Sequence, residues 1–398
     1  MSSALAINGG KPIRDTLLPY SRQLIGAEDI EAVIEVLKSD WLTTGPKIQE
    51  FEKEFASFVG ANDAVAVSNG TAALHASMFA TGISEGDEVI VPAMTFVSTA
   101  NSVVFQKGTP VFVDTDPDSL LIDPKKVEEA ITKKTKAIVA VDYTGQPCDY
   151  DSLSQIAEKN QLTLIADACH ALGGMNEGQS VGSLADLSTF SFHAVKPIAT
   201  GEGGMITTNN PHFPKVMREF RNHCISSDHR ERHEAGSWFY EVDQLGFNYR
   251  LTDFQCALGL SQLKKVPKWT SRRQEIAQIY DKAFSNLEEV TPLKVREDVS
   301  HTYHLYVVKL ELDSLRVNRE EIFKALRAEN IGVNVHYIPV HLHPFYVNNY
   351  GTKEGQFPNV ESAYERILSL PMFTAMNNED VKSVIEAMEK VITHYSSK

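Results

Sequence analysis

Apolar and polar residues recur along the chain with two different periods, which predict helices and strands. From about Glu28 to Leu37 the apolar residues have helical spacing, and "IQEFEKEFASFVG" (48–60) repeats the pattern up to Gly60. Helical stretches near 71–82, 98–107 and 151–160 separate most of a set of short β-branched runs. These runs are "DAVAVSNG", "DEVIVPAM", "TPVFVDTD", "TKAIVAVDYTG" and "LTLIADACH". Nearly continuous apolar strands that alternate with helices predict an α/β fold with a mostly parallel central sheet.

The pattern changes towards the C-terminus. "LSTFSFH" and "GGMITTNN" are separated by a short turn, which favours an antiparallel pair in the same sheet. After about residue 260 we predict a helix at 264–284, the strand-like run "HTYHLYVVKLEL", and helices near 318–329, 360–369 and 378–394. These patterns predict a large domain over 1–262, with the N-terminal segment, and a smaller α+β domain over 263–398. The polar segment 226–240 lacks periodicity, so we predict a mobile loop there.

Composition and charge exclude several classes of function. The formal net charge of −14 argues against nucleic acid or an anionic membrane bound by bulk electrostatics, so a phosphate ligand would need a local site. The four cysteines have no CxxC spacing, which indicates neither a zinc site nor a disulfide framework and fits a reducing compartment. The first residues show no signal pattern and no apolar run reaches transmembrane length, so we expect a cytoplasmic protein.

Residues that can do chemistry follow the ends of the predicted strands, where open α/β sheets bind ligands. A helix begins near Thr71, and its first amides could bind an anion, with Gly70 and Ala72 allowing close approach, although an ordinary capped helix explains the same residues. Asp167 ends a buried strand, where it would need a partner or would cap a helix. Lys196 ends another predicted buried strand, and it could be a cation on the protein surface. Together these features fit a pyridoxal phosphate site, which needs an amine, a phosphate cradle and a partner for the pyridine nitrogen.

Six stretches resemble, in order, the DegT/DnrJ/EryC1/StrS sugar aminotransferase family. They are "WLTTGPKIQEFE", "AVAVSNGTAALH", "VIVPAMTFVSTANSV", "LIADACHALGG", "FSFHAVKPIATGEGGMITTN" and "LGFNYRLTDFQCALGLSQL", and they span residues 41–263. The resemblance implies fold type I of the pyridoxal phosphate-dependent transferases and aminotransferase activity. Within the family, "SFHAVKP" and "VHYIPVHLHPFY" resemble transaminases acting at C4 of UDP-linked 4-keto-6-deoxy amino sugars, of the pseudaminic acid type.

The resemblance also implies roles for individual residues. Lys196 would bind the cofactor covalently and later move a proton between its C4′ atom and the substrate carbon, and Asp167 would keep the pyridine nitrogen protonated. The other implied cofactor-binding residues are Gly70, Thr71, Ala72 and Ser191 at the phosphate, Phe96 on the ring face, His170 near the 3′-oxygen, and Asn248 at the phosphate of the neighbouring subunit's cofactor. A homodimer with shared sites would follow. Phe96 could instead belong to the core, and His170 could be an ordinary hydrogen-bonded residue.

Four residues are candidates for substrate binding: Thr44, Arg230, His336 and Tyr337. Arg230 could reach a diphosphate, or it could belong to a solvated charged loop. Two prolines interrupt the histidine-rich stretch that contains His336, so we expect hydrogen bonds to sugar or nucleotide and no metal site.

The family resemblance implies L-glutamate as the amino donor and a nucleotide-linked keto sugar as the acceptor. Family members that act as dehydratases carry histidine in place of the lysine; Lys196 is present, which favours a transaminase. A dehydratase, an amino-acid transaminase, a C3 sugar aminotransferase and a non-catalytic regulator remain alternatives.

Overall fold

The fold is known from a computed structural model that describes residues 4–227, 232 and 236–397. The helices are Ala27–Leu37 (α1), Pro46–Val59 (α2), Gly70–Ala80 (α3), Val97–Phe105 (α4), Pro124–Ala130 (α5), Tyr150–Asn160 (α6), Phe213–Phe220 (α7), Asp253–Leu263 (α8), Val266–Phe284 (α9), Arg319–Ala328 (α10), Pro344–Tyr350 (α11), Pro358–Arg366 (α12) and Asn378–Tyr395 (α13). The strands are Asp63–Val67 (β1), Glu88–Pro92 (β2), Thr109–Val113 (β3), Thr135–Val141 (β4), Thr163–Asp167 (β5), Met175–Asn176 (β6), Gln179–Ser180 (β7), Leu187–Ser191 (β8), Gly204–Thr208 (β9), Val290–Pro292 (β10), Val299–Ser300 (β11), Tyr306–Leu310 (β12) and Ile367–Leu370 (β13).

A seven-stranded sheet in the order β1-β9-β8-β5-β4-β2-β3 forms the centre of the described structure. The neighbours from β8 to β3 pair in parallel, whereas β9 pairs antiparallel with both β1 and β8. The mostly parallel α/β fold and the antiparallel pair predicted after "LSTFSFH" are therefore confirmed. Because the parallel strands point the same way, the residues that follow them meet at one edge of the sheet.

The three-stranded sheet in the C-terminal part of the chain shows that one predicted helix is too long. This sheet has the order β10-β12-β13, and Tyr306 of β12 pairs with Leu370 of β13. The helix expected near 360–369 ends at Arg366, and the apolar run Ile367–Leu370 is a fully buried strand. A short apolar run fits a helix or a strand equally well, and here its partner strand decides between the two.

Two buried carboxylates fix the N-terminal helices to α8, although some 200 residues of chain lie between them. Asp29 of α1 accepts hydrogen bonds from Ser261 Oγ at 2.6 Å and Lys265 Nζ at 2.8 Å. Asp253, at the start of α8, accepts from the Gly45 amide at 2.7 Å and the Lys47 amide at 3.0 Å. Buried carboxylates are stable only when they are paired in this way, so the two sets of contacts define the packing of α1 and α2.

The buried apolar side chains form two clusters. One surrounds the seven-stranded sheet, and the other contains Leu5 and Leu18 together with residues of the C-terminal part. Glu329 fixes the N-terminal segment there, since it accepts from the Ala6 amide at 2.8 Å and forms an ion pair with Lys390 at 2.8 Å. The predicted division of the chain at residue 262 remains a prediction. No helix in the described part of the chain has the length and apolarity that crossing a membrane requires.

Candidate active site

A cavity of about 960 Å³ lies at the carboxyl ends of β4, β5 and β8 and beside the N-terminus of α3. Ten residues predicted from the sequence line it: Gly70, Thr71, Ala72, Phe96, Asp167, His170, Ser191, Lys196, His336 and Tyr337. They come from segments distributed over more than 260 residues, which the parallel strands bring to one edge of the sheet. The roles of these residues remain predictions, but the structure places all ten in the same cavity.

Lys196 supplies the only lysine side chain among the described residues that line the cavity. Its amide donates to the His193 carbonyl at 2.8 Å, which forms a turn directly after β8 and directs the side chain inward. Burial lowers the pKa of Lys196, and electrostatic interactions with Cys169 and Asp167 oppose this effect. A lower pKa leaves a larger fraction of neutral amine, which is the form that attacks a carbonyl carbon.

Asp167 is the buried carboxylate of the site. Its Oδ2 atom accepts from Thr99 Oγ1 at 2.8 Å, and Thr99 in turn lies 2.7 Å from Thr95 Oγ1. Its Oδ1 atom accepts a long backbone hydrogen bond, 3.4 Å, from the Cys169 amide. This oxygen can therefore accept a further hydrogen bond from a cationic N–H group of a ligand.

The N-terminus of α3 forms a cradle of backbone amides. Asn69 precedes the helix, and its side chain accepts from the Ala72 amide at 2.8 Å. The amides of Gly70 and Thr71 belong to the first turn and have no partner within the helix. A Cβ atom on Gly70 would lie only 2.9 Å from Ser191 Cβ, so the chain needs glycine for this close approach. Backbone amides at the positive end of the helix dipole suit a phosphate.

His170, Tyr337 and Phe96 form a connected part of the cavity lining. The Tyr337 hydroxyl lies 3.1 Å from His170 Nε2, and the ring centroids of Phe96 and Tyr337 are 5.8 Å apart. Phe96 is 53% exposed and lines the cavity, so it is not a core residue in this chain. His336 is held by Ser369 Oγ at 2.8 Å, and its carbonyl accepts from the Tyr143 hydroxyl, which ties the segment to the end of β4.

Two predicted residues do not line this cavity, and a third is not among the described residues. Thr44 lines a separate pocket of about 540 Å³ together with Arg221 and Arg250. Asn248 is exposed and does not line the cavity of its own chain. Arg230 lies outside the described residues, as does much of the segment for which a mobile loop was predicted.

Three residues that were not predicted also line the cavity: Tyr20, His304 and Asn334. Asn334 lies two residues from His336 in "VNVHY", so the histidine-rich stretch was a usable signal for it. "HTYHLY" contains two histidines in four positions just before β12, which could have drawn attention to His304. Tyr20 belongs to the N-terminal segment and carries no comparable signal.

The lining residues fit pyridoxal phosphate. The cavity offers an amine at Lys196, an acceptor with unused capacity at Asp167 Oδ1 and an amide cradle that only glycine at position 70 allows. These are the groups that a carbonyl, a pyridine nitrogen and a phosphate require.

A second buried carboxylate, Asp142, lies behind the site. Its amide donates to the Asp167 carbonyl at 3.1 Å, and its Oδ1 atom accepts from the Cys148 amide and the Tyr150 hydroxyl. Its Oδ2 atom is buried and has no hydrogen-bond partner among the described residues. Burial, with a smaller contribution from Asp167, raises the pKa of Asp142 to about 7. The folded protein therefore keeps a proton on Asp142 that the unfolded chain loses near pH 4.

We expect Asp142→Asn to change how stability depends on pH. The stability that neutral Asp142 contributes to the folded protein is complete below pH 4. It is lost as the pH rises towards 7, because ionisation of the same residue then stabilises the unfolded chain. An amide keeps the hydrogen bonds to Oδ1 and never ionises. We compare the free energy of unfolding of the variant with that of the native protein. The variant minus native difference should be about 2–4 kcal/mol larger at pH 8 than at pH 4. Urea denaturation at both pH values measures this, and Asp151→Asn, exposed on α6, is the matched control. A difference that does not vary with pH would contradict the expectation.

The chain matches known proteins over nearly its whole length. The sequence model of the DegT/DnrJ/EryC1/StrS aminotransferase family matches residues 23–389. The spore coat polysaccharide biosynthesis protein SpsC of Bacillus subtilis is 45% identical over 381 residues, which are 95% of this chain and 98% of that protein.

Solved structures of similar proteins include cofactor-bound forms. Spr1654 from Streptococcus pneumoniae, solved in PMP and PLP forms, is 33% identical and superposes with TM-scores of 0.89 and 0.88 over 95% of this chain and 99% of that one. Helicobacter pylori PseC, an aminotransferase involved in the biosynthesis of pseudoaminic acid, is 32% identical with a TM-score of 0.88, over 96% of this chain and 100% of that one.

Proposed function

We propose, since this chain belongs to the DegT/DnrJ/EryC1/StrS aminotransferase family, that it transfers an amino group from L-glutamate to C4 of a UDP-linked 4-keto-6-deoxy sugar. The fold is that of the pyridoxal phosphate-dependent transferases of fold type I, and pyridoxal phosphate is the cofactor of the family. One observation carries the proposal: Lys196, Asp167 and the first turn of α3 meet in a single cavity.

When bound, pyridoxal phosphate supplies an electron-withdrawing ring that stabilises the negative charge left on a carbon that loses a proton. In our proposal the amides of Gly70 and Thr71 bind its phosphate, with Ala72 and Ser191 beside them, and Phe96 covers one face of its ring. Asp167 Oδ1 accepts a hydrogen bond from the ring nitrogen and holds the proton on that atom. The bond from Thr99 to Oδ2 fixes the orientation of the carboxylate.

Lys196 has two roles in this proposal. Its Nζ atom would hold the cofactor by a covalent bond, and when free of that bond it would take a proton from the donor carbon. Burial lowers the pKa of Lys196, so that the released amine is neutral often enough to act as a base. The side chain later returns a proton to the acceptor carbon, so one residue moves the proton in both halves of the reaction.

The remaining lining favours an acceptor whose reacting part is a neutral, hydroxyl-rich sugar. Tyr20, Asn334 and His336 give the cavity hydroxyl, amide and imidazole groups, and no arginine is among the described residues that line it. Such groups bind sugar hydroxyls by hydrogen bonds, whereas a second carboxylate-bearing substrate would need a strong cation. The likeness to PseC, an aminotransferase involved in the biosynthesis of pseudoaminic acid, supports an amino sugar as the product.

A substrate screen tests the proposal. The purified protein is mixed with L-glutamate, which should shift the absorbance of the bound cofactor, and then with UDP-, GDP- or dTDP-linked 4-keto-6-deoxy sugars. We expect the UDP-linked sugar to restore the original absorbance and NMR of the product to place nitrogen on C4. Recovery only with another nucleotide, or nitrogen on C3, would overturn the corresponding part of the proposal. Release of the sugar oxygen without amination would indicate a dehydratase.

We further propose that the enzyme is a homodimer in which Asn248 binds the phosphate of the partner's cofactor. Two apolar side chains on the rim of the cavity, Phe96 and Phe105, are 53% and 51% exposed. Trp238 and Leu245, close to Asn248 in sequence, are 84% and 80% exposed. Exposed apolar surface of this extent supports a protein partner, and a second copy would cover the rim while bringing its own Asn248 near the cavity.

Subunit mixing tests the shared site. Asn248→Asp places a negative charge beside the partner's phosphate and should impair each homodimer, and Lys196→Ala should inactivate its own. A mixed dimer has one site in which both residues are native, so equal mixing should restore roughly a quarter of native activity, because half of the dimers are mixed. Asn348→Asp, exposed on α11, adds the same charge elsewhere and should stay active alone. No gain after confirmed subunit exchange would mean that each site lies within one chain.

A further inference from the structure

His304 lines the cavity although no motif singled it out. Its ring centroid lies 4.4 Å from that of His170, with 43° between the ring planes. The two side chains are 4% and 5% exposed. Both Nδ1 atoms are buried, and neither has a hydrogen-bond partner among the described residues. A buried polar atom without a hydrogen-bond partner costs free energy, so the missing hydrogen bonds at these two neighbouring Nδ1 atoms need an explanation.

The backbone around His304 is fixed against His170. The buried guanidinium of Arg273 donates through Nη1 to the carbonyls of Tyr303, at 3.1 Å, and His304, at 3.3 Å. Thr302, which precedes them in the chain, donates through Oγ1 to the His170 carbonyl at 2.8 Å. These contacts hold the main chains of the two histidines close together, with the ring centroids 4.4 Å apart.

Both rings are neutral, and their charged neighbours explain why. Burial lowers the pKa of His170 and of His304, and the charge of Lys196 lowers both further. His336 faces both rings, Arg273 faces His304, and the Tyr337 hydroxyl lies 3.1 Å from His170 Nε2. A neutral imidazole has one N–H group and one acceptor nitrogen. Two such rings can form a hydrogen bond between their Nδ1 atoms if one Nδ1 carries a proton and the other does not.

We propose that His304 is a positioning residue: its Nδ1–H group donates to Nδ1 of His170, which fixes the His170 proton on Nε2 and makes His170 a hydrogen-bond donor to the 3′-oxygen of the cofactor. The inference rests on the proposed function, which assigns His170 to that oxygen. Donation to the 3′-oxygen reduces its negative charge and weakens its hold on the proton of the Lys196 nitrogen. His304 thus lowers the pH at which the loaded enzyme loses that proton, without touching the substrate itself.

The test is a pH titration of the visible absorbance of the loaded enzyme in three variants. His304→Phe keeps the ring but removes the donor, and it should raise the pH midpoint by about half a unit, a roughly threefold shift in the proton equilibrium. His304→Asn retains an N–H group at the position of Nδ1 and should keep the native midpoint. His301→Phe is the matched control, because His301 is buried in the same segment but bonds to Thr144 and the Tyr303 amide instead of His170.

The outcomes separate the two proposals. Equal shifts in His304→Phe and His304→Asn, or no shift in either, would overturn the positioning role while the native enzyme still binds its cofactor. A native protein that binds no pyridoxal phosphate would overturn the proposed function and this inference together. Should His304→Phe fail to fold, neutron diffraction from the native loaded enzyme decides: we expect hydrogen on Nε2 of His170 and on Nδ1 of His304, and hydrogen on Nδ1 of His170 would exclude the role.

Discussion

The Lys196→Ala variant should lose transamination by several orders of magnitude and lose the absorbance of covalently bound cofactor. The methyl group that remains can neither bond to the cofactor nor move a proton between donor and acceptor carbons. In the native enzyme, borohydride reduction followed by peptide mapping should place the pyridoxyl label on Lys196. Because the side chain lies at a loop after β8 and lines an open cavity, its truncation should leave the fold intact.

The control for this variant is Lys215→Ala on α7, whose side chain is largely exposed. It removes a lysine of the same size and should keep both the absorbance and the activity. A label on any lysine other than Lys196, or a Lys196→Ala enzyme with native absorbance, would show that the covalent partner lies elsewhere. Circular dichroism and gel filtration separate a loss of chemistry from a loss of fold.

The Asp167→Asn variant should fold and still bind pyridoxal phosphate, but it should turn over at least about a thousandfold more slowly. An amide has no charge with which to hold the proton on the ring nitrogen, so the ring stabilises negative charge less well in the transition state. Thr99 Oγ1 can still donate to the amide oxygen, which preserves the local packing. Single-turnover kinetics of the half-reaction with L-glutamate measure the loss without interference from product release.

Thr99→Val provides the matched comparison for Asp167. It removes the hydrogen bond to Oδ2 but leaves the carboxylate charge, so its effect on the rate should be much smaller than that of Asp167→Asn. If the two variants were equally slow, orientation of the carboxylate would matter more than its charge. Near-native turnover in Asp167→Asn would remove Asp167 from the proton-holding role altogether.

Much of the fold and the centre of the site could be predicted because both depend on local sequence. Strands such as "LTLIAD" are apolar throughout since both faces of the sheet are covered, and the polar residue that follows each one marks the functional edge. The same rule indicates Asp167 and Lys196, and the structure places both in one cavity. Only 12 residues separate β8 from β9, and their predicted antiparallel pairing is confirmed.

The remaining residues of the site depend on contacts that join distant parts of the chain. His304 reaches the cavity because Arg273 and Thr302 hold its segment against His170, and no periodicity encodes those bonds. Tyr20 belongs to the N-terminal segment, which packs in the apolar cluster that contains Leu5, Leu18 and residues of the C-terminal part. The strand Ile367–Leu370 was taken for part of a helix for the same reason, since only pairing with β12 distinguishes the two.

The position of β9 in the sheet has a consequence for synthesis on the ribosome. Strand β1 ends at residue 67, but its partner β9 begins at residue 204, and α8, which binds α1 and α2 through Asp29 and Asp253, ends at residue 263. At the usual rate of elongation the emerging N-terminal segment waits roughly 10 to 40 s for these partners. During that time β1 has an unpaired edge and α2 exposes the aromatic face that it later buries, both of which favour aggregation. The yield of this enzyme in a cell therefore depends on the chaperones that shield the nascent segment, a dependence that the stability of the finished protein does not reveal.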